Sequence, residues 1–234
     1  MIYNNNLNNS IKIKHIINND SFKKEICIFG VLCNDNGLQI EKLMLDWLIP
    51  EYDVYCVYQK YPGEFYEYPA LRFAQWFSQK YNKTIILYVH TKGAFHASQI
   101  QKEIKKVWRF EFTKKRKYIY IQLLKNNQAD VSTPYTDGNY TWYNGMFISN
   151  RAFNLIGEIK YNPQNRWYYE SLFSSSNKSS YRIRIKGVLN NSISSYDVCN
   201  EVGKYAKKNK RICIFVIILT FLIFSYYLKI INNF

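Results

Sequence analysis

Four consecutive residues, His90-Thr91-Lys92-Gly93, bring together an imidazole, a hydroxyl, an ammonium and a glycine. This set suits an anionic ligand. Lysine supplies a point charge, threonine a hydrogen bond, and glycine allows close approach of the backbone. The four follow a short apolar run, Thr84-Ile85-Ile86-Leu87-Tyr88-Val89, whose β-branched and aromatic content reads as a strand buried on both faces. In open α/β sheets ligands bind at the carboxyl ends of such strands. The same residues also suit an ordinary strand-to-helix loop, with His90 bonded to a backbone carbonyl. No Ser/His/Asp set, P-loop or zinc-ligand spacing accompanies them.

The elements that must position this turn alternate. Glu25 to Leu32 reads as a first buried strand, Asn34-Asp35-Asn36-Gly37 as a turn, and Leu38 to Leu48 as a helix through Ile40, Leu43, Met44 and Trp47. Tyr52 to Tyr58 is a second strand, and a helix follows from Pro69, a residue accepted at a first helical position. With the strand before His90 this is strand-helix-strand-helix-strand, which predicts a mostly parallel, Rossmann-like α/β sheet with right-handed crossovers. Ser98 to Leu124 reads as one long basic helical stretch, with Lys114-Lys115-Arg116-Lys117 on a solvated face. Beyond Pro134 the pattern predicts a strand over Met146 to Ser149, helices over Arg151 to Ile159 and Trp167 to Phe173, and a half-buried strand over Tyr181 to Ile185.

Near the end, Ile212 to Leu228 carries no charge. At about 1.5 Å per residue it spans roughly 25 Å, and Lys229, which can snorkel, with Ile230-Ile231 extends it towards a full hydrocarbon core. The basic cluster Lys204, Lys207, Lys208, Lys210 and Arg211 before it, and Tyr226-Tyr227 near its far end, match positive-inside and aromatic-belt tendencies. The expected organisation is therefore a flexible Asn-rich arm (1–22), an α/β domain (23–200), a basic juxtamembrane segment (201–211) and a single transmembrane helix (212–231), with the folded domain on the cytosolic side. No continuous apolar stretch in the first 20 or so residues predicts a secretory signal.

The chain of 234 residues, 47% hydrophobic, can bury one good core. Its formal charge of +15 points towards nucleic acid or an anionic membrane. Abundant Asn, Lys, Ile and Tyr with scarce glycine suggest an AT-rich coding sequence, which weakens that inference. Cys27, Cys33, Cys56, Cys199 and Cys213 are odd in number and lack metal-ligand spacing, so they read as small buried hydrophobes in a reducing compartment.

Several segments stand in a distinctive order: Tyr66-Glu67-Tyr68-Pro69-Ala70-Leu71; Leu87 to Gly93; Val107-Trp108-Arg109; Leu123-Leu124; Ala129-Asp130-Val131; Thr141 to Ser149; and Asn165 to Phe173. Over roughly residues 25 to 175 this series resembles a glycosyltransferase-like family with a Tyr-x-His-Thr-Lys-Gly signature, a Trp-Arg pair, a Gly-Asn-Phe-Trp-like strand and a late Glu. The resemblance implies a GT-A-type fold binding a nucleotide sugar. His90 and Lys92 would lie near the diphosphate, with Thr91 and Gly93 shaping the loop and Arg109 joining the donor side. Glu170 would be the general base acting on an acceptor hydroxyl, and Asn144, Gly145 and Trp142 would line the acceptor side. The sequence departs from the pattern in two places. Asn144-Gly145 inverts the Gly-Asn order. No Asp-x-Asp motif marks a Mn²⁺ or Mg²⁺ site, leaving Asp35 and Asp130 as weak candidates.

Each of these residues has a plainer alternative. Glu170 is at helical spacing from Arg166, Trp108 suits a core position, Arg109 can pair with a surface carboxylate, and Trp142 or Tyr143 can stack a sugar or base or merely reflect composition. The leading expectation is a membrane-anchored glycosyltransferase or a degenerate relative. The alternative is a non-catalytic, membrane-tethered binder of nucleic acid or anionic lipid, although no RNP, zinc-finger or helix-turn-helix signature supports nucleic acid.

Overall fold

The computed structural model describes residues 10–16, 25–60, 65–82, 85–92, 94, 98–162, 164, 168–169, 171–174, 183–194 and 197–204. Strands β1 (Ile11–Ile16), β2 (Glu25–Leu32), β3 (Tyr52–Gln59), β4 (Ile86–His90), β5 (Val131–Tyr135), β6 (Met146–Ile148) and β7 (Ile185–Asn190) form a 7-stranded sheet ordered β1-β3-β2-β4-β6-β5-β7. β2 pairs in parallel with β3 and β4, and β5 with β7, while β1 and β6 run against their neighbours. The protein is thus a mixed α/β structure with a mostly parallel sheet flanked by helices, as the alternation of elements requires.

Alternation along each strand divides the core into two layers. Phe29, Leu87, Val89 and Phe147 face α1 (Asp35–Leu48), α3 (Gln99–Glu111), α4 (Lys114–Lys125) and α6 (residues 197–204), through Met44, Trp108, Tyr120 and Val202. Ile28, Tyr88, Met146 and Ile148 face α2 (Tyr68–Lys80) and α5 (Asn150–Leu155), through Leu71, Phe77 and Phe153. Burial on both faces is why β2 and β4 read as continuous apolar runs.

The structure departs from the sequence reading in several places. Part of the expected flexible arm, Ile11–Ile16, is an edge strand pairing antiparallel with β3 over its whole length. The basic stretch after Ser98 is two helices broken at Phe112-Thr113. Phe112 is fully buried, edge-on to Tyr120 and Phe147, and its carbonyl accepts the Tyr52 hydroxyl. Burying that ring stabilises by roughly 2–3 kcal/mol, enough to override continuation of the helix. Nor is the run of cations simply solvated. Lys117 is buried between Glu25 (3.0 Å) and Glu51 (3.1 Å), and Arg116 meets Glu111 at 2.7 Å. The last strand starts at Ile185, where the sequence pattern places its end. Cys27 and Cys56 are buried as expected, whereas Cys33 and Cys199 are exposed. Among the described residues no helix is long and apolar enough to cross a membrane, and the expected span 212–231 lies outside them.

Candidate functional site

The carboxyl end of β4 distributes its side chains to both sides of the sheet. Thr91 and Lys92 follow Val89 towards the α1/α3 side. The Thr91 backbone N–H donates to the Gly30 carbonyl (2.9 Å), and its hydroxyl accepts the Leu32 N–H (3.1 Å). Thr91 therefore ties the loop to β2. Lys92 is almost buried, with its ammonium 5.3 Å from the Tyr143 ring centroid, within cation–π range. The Lys92 carbonyl accepts a hydrogen bond from Lys105 Nζ (2.8 Å), so a second cation, from α3, backs the loop. Burial, with help from Lys102, holds the Lys105 ammonium below its ordinary pKa. At the end of β2, Asn34 caps α1 by accepting from the Gly37 N–H (2.7 Å) and reaches the Ala94 carbonyl (3.3 Å). Asp35 is exposed in the first turn of α1, on this same edge.

His90 belongs to the α2 side. Its Nε2 lies 3.8 Å from a Glu67 carboxylate oxygen, and both side chains are about 15% exposed. Glu67 occupies the N-cap position of α2 without capping it, which leaves the carboxylate directed at the imidazole. The Tyr88 ring lies beneath His90, near-parallel with centroids 6.1 Å apart. Tyr88 is fully buried, and its hydroxyl has no hydrogen-bond partner among the described residues. Burial, then the Glu67 charge and Tyr169, push that hydroxyl well above the ordinary tyrosine pKa, so it remains a proton donor. Gly30 makes room for this group. A Cβ there would stand 3.2 Å from Ala70 Cβ and 3.4 Å from His90 Cβ.

Two non-glycine residues in left-handed backbone flank the site: Tyr66 (φ 43°), directly before Glu67, and Tyr143 (φ 66°), beneath Lys92. Such conformations cost of order 1–2 kcal/mol and cluster at functional sites. Tyr143 also shares a hydrogen bond with the Cys199 thiol at 3.2 Å, which fastens α6 to this edge.

The remaining expected site residues disperse. Arg109 is in the last turn of α3 and lines a different cleft, with Trp47 and Pro50, at the amino end of the strands. Gly145 is a packing position, because a Cβ there would come within 2.2 Å of Trp108 Nε1. The Trp142 indole N–H donates to the Ile193 carbonyl (2.9 Å), and its ring stacks on Tyr140. Asn144 ends the 3₁₀ turn that starts at Trp142, opposite the end of β4. Gly93 and Glu170 lie outside the described residues. Asp130 precedes β5 at the amino edge, where its carboxylate accepts the Arg184 backbone N–H (2.9 Å) and pairs with the Arg184 and Arg151 guanidinium groups. Asp35 and Asp130 thus stand at opposite ends of the sheet. They do not fit one shared cation, and no group of three His, Cys, Asp or Glu among the described residues supplies another.

Three contributors were not singled out in the sequence: Glu67, Lys105 and the Tyr88 hydroxyl. Glu67 had a usable signal, a carboxylate just ahead of the Pro-marked start of a helix that returns to the strand edge. Lys105 had none. Comparison with protein-family models, curated proteins and solved structures finds no match to this chain.

Proposed function

We propose that this chain is a membrane-anchored, glycosyltransferase-like protein with a GT-A-type sheet, moving a sugar from a nucleotide-sugar donor to a hydroxyl acceptor. The observation that carries the reading is the approach of Glu67 to His90 (3.8 Å) on one side of the β4 end, with Lys92 held on the other. A displacement at a sugar carbon needs a proton acceptor for the incoming hydroxyl and a cation for the departing diphosphate. His90, oriented by Glu67 and backed by the Tyr88 ring, takes the acceptor proton. Lys92 offsets the negative charge that builds on the diphosphate as the sugar–oxygen bond breaks. Thr91, whose hydroxyl is already engaged by Leu32, shapes the loop. Residues 212–231 form a single-pass anchor that keeps the domain at the cytosolic face of a membrane. Glu170 is a second candidate base, drawn from the family resemblance alone. No step is routed through a metal ion, because Asp35 and Asp130 stand at opposite ends of the sheet and no group of three His, Cys, Asp or Glu among the described residues could hold one.

The test is a panel of nucleotide sugars offered to the full chain in detergent. Transfer or hydrolysis from at least one donor is expected, falling at least about 100-fold in Lys92→Gln and His90→Gln with unchanged unfolding temperatures. Glu67→Gln should lower kcat while leaving the donor KM near its wild-type value. Absence of both turnover and binding across the panel overturns the reading.

A further inference from the structure

A second cleft opens at the other end of the sheet. It has a volume of about 530 Å³ and is lined by Trp47, Pro50 and Glu51 after α1, by Lys106, Arg109 and Phe110 of α3, and by Thr113, Lys114 and Arg116 at the α3–α4 corner. Lys117 fixes its location, bridging Glu25, the first residue of β2, and Glu51, just ahead of β3. The His90 edge lies towards the far end of those strands: His90 is in register with Gly30, roughly 17 Å from Glu25 at about 3.3 Å per residue.

The charges in this cleft do not balance. Lys106 is matched by Glu103 (2.7 Å) and Arg116 by Glu111 (2.7 Å), while Glu51 is held by Lys117. Arg109 and Lys114 are exposed and make no ion pair among the described residues. Lys114 also stands where a cation is costly. The first turn of α4 is Lys114-Lys115-Arg116-Lys117 with no acidic residue, although the helix dipole there favours anions. Thr113, the N-cap, sends its hydroxyl to the Arg109 carbonyl (2.8 Å) and gives no side-chain cap to α4. A negatively charged ligand would answer both the unpaired cations and the dipole. The walls add a second requirement. Phe110 is half exposed, Trp47 and Pro50 form an apolar floor, and the volume falls within the range of small-molecule sites. Inorganic phosphate would leave those walls unused.

We infer that this cleft binds a nucleoside polyphosphate, its phosphates on Arg109 and Lys114 and its base against Phe110 and Trp47. The site is separate from the donor edge and does not depend on the function proposed there. Equilibrium dialysis of the full chain in detergent, with ATP and with inorganic pyrophosphate as probes, tests it. ATP should bind, and Arg109→Gln with Lys114→Gln should weaken it at least about tenfold, as loss of two partly screened charge contacts requires. Both residues are exposed, so the double variant should fold. Phe110→Ala should weaken ATP while leaving pyrophosphate unchanged. Lys92→Gln should leave ATP binding intact, even though it removes donor turnover under the proposed function. The inference is overturned if ATP does not bind, if binding ignores the double variant, or if Lys92→Gln abolishes it. Retention of phosphatidylserine vesicles or single-stranded RNA through Arg109 and Lys114, in place of ATP, overturns it equally.

Discussion

Gly145 can be read as part of an acceptor surface or as a packing necessity, and Gly145→Ala separates the two. The backbone there (φ −103°, ψ 108°) is open to any residue, so alanine meets no conformational penalty. At such a position Gly→Ala ordinarily stabilises by about 0.4–1 kcal/mol through the unfolded chain. Sterics reverse the sign. The new Cβ would lie 2.2 Å from Trp108 Nε1, 2.3 Å from Cε2 and 2.8 Å from Cζ2. The indole must withdraw by about 1 Å in a close-packed interior. Trp108 is only 1% exposed, leaving it nowhere to go without displacing neighbours. Overpacking of this kind costs typically 1–3 kcal/mol, and a rigid ring against backbone puts this case at about 3. For a domain of this size that lowers the unfolding temperature by roughly 6–12 °C. The Trp108 ring also lies 6.2 Å from the His90 ring, so the displacement reaches the site. Thermal unfolding of Gly145→Ala, Trp108→Phe and the double variant forms a cycle. The smaller ring should recover at least about 1 kcal/mol of the loss. A neutral or stabilising Gly145→Ala, or strictly additive changes, would refute the packing argument.

Lys117→Met should cost about 2–3 kcal/mol in denaturant unfolding, because two part-buried carboxylates lose their shared cation. Burial pulls the Lys117 pKa down, but Glu25 and Glu51 outweigh it and raise the pKa above the ordinary lysine value. Its stabilisation is therefore fully present below the unfolded pKa of about 10.4 and is lost as pH rises through the higher folded value. The gap between wild type and Lys117→Met should stay constant to about pH 10 and then close; a gap that widens instead would contradict the sign. Asp130→Asn should destabilise by about 1–3 kcal/mol through its buried bonds to Arg184. Mn²⁺ should leave the unfolding temperatures of both proteins unchanged relative to each other; protection by Mn²⁺ that vanishes in Asp130→Asn would restore Asp130 as a metal ligand.

The strands were the most legible part of the sequence, since β2 and β4 are buried on both faces and therefore continuous in hydrophobicity. β1 was readable in principle from the Ile11-Lys12-Ile13-Lys14 alternation, but Asn-rich flanks hid it. The α3–α4 break was not. Helical spacing continues across it, and only the partners of Phe112, namely Tyr52, Tyr120 and Phe147, make burial there win. At the site, His90 and Lys92 were legible because a single turn brings them together. Glu67 reaches His90 from another element, and pairing between elements leaves no local periodicity. Arg109 shows the reverse failure. It is next to Trp108 in sequence, yet one helical step turns it out of the core layer that Trp108 fills and into the cleft at the end of α3.

The same partition changes the meaning of the net charge. Taken from the sequence, the Lys114–Lys117 run is one block of positive charge. In the fold Lys117 is an internal strut between Glu25 and Glu51, and Arg116 closes on Glu111. Lys105 is committed to the Lys92 carbonyl. Arg116 and Lys117 are neutralised locally by their carboxylates and contribute little long-range field, whereas Lys105 keeps its charge but is fixed to the loop. At the amino edge Arg109 and Lys114 keep their charge in a cleft of bounded volume with aromatic walls. A continuous basic stripe would follow a nucleic-acid backbone; two unpaired cations in an aromatic cleft instead select a small anion with a planar ring. The charge of +15 is therefore weaker support for a nucleic-acid partner than its size implies. What discriminates is where cations stand without a carboxylate partner beside aromatic rings, as Arg109 and Lys114 do in the cleft at the amino edge.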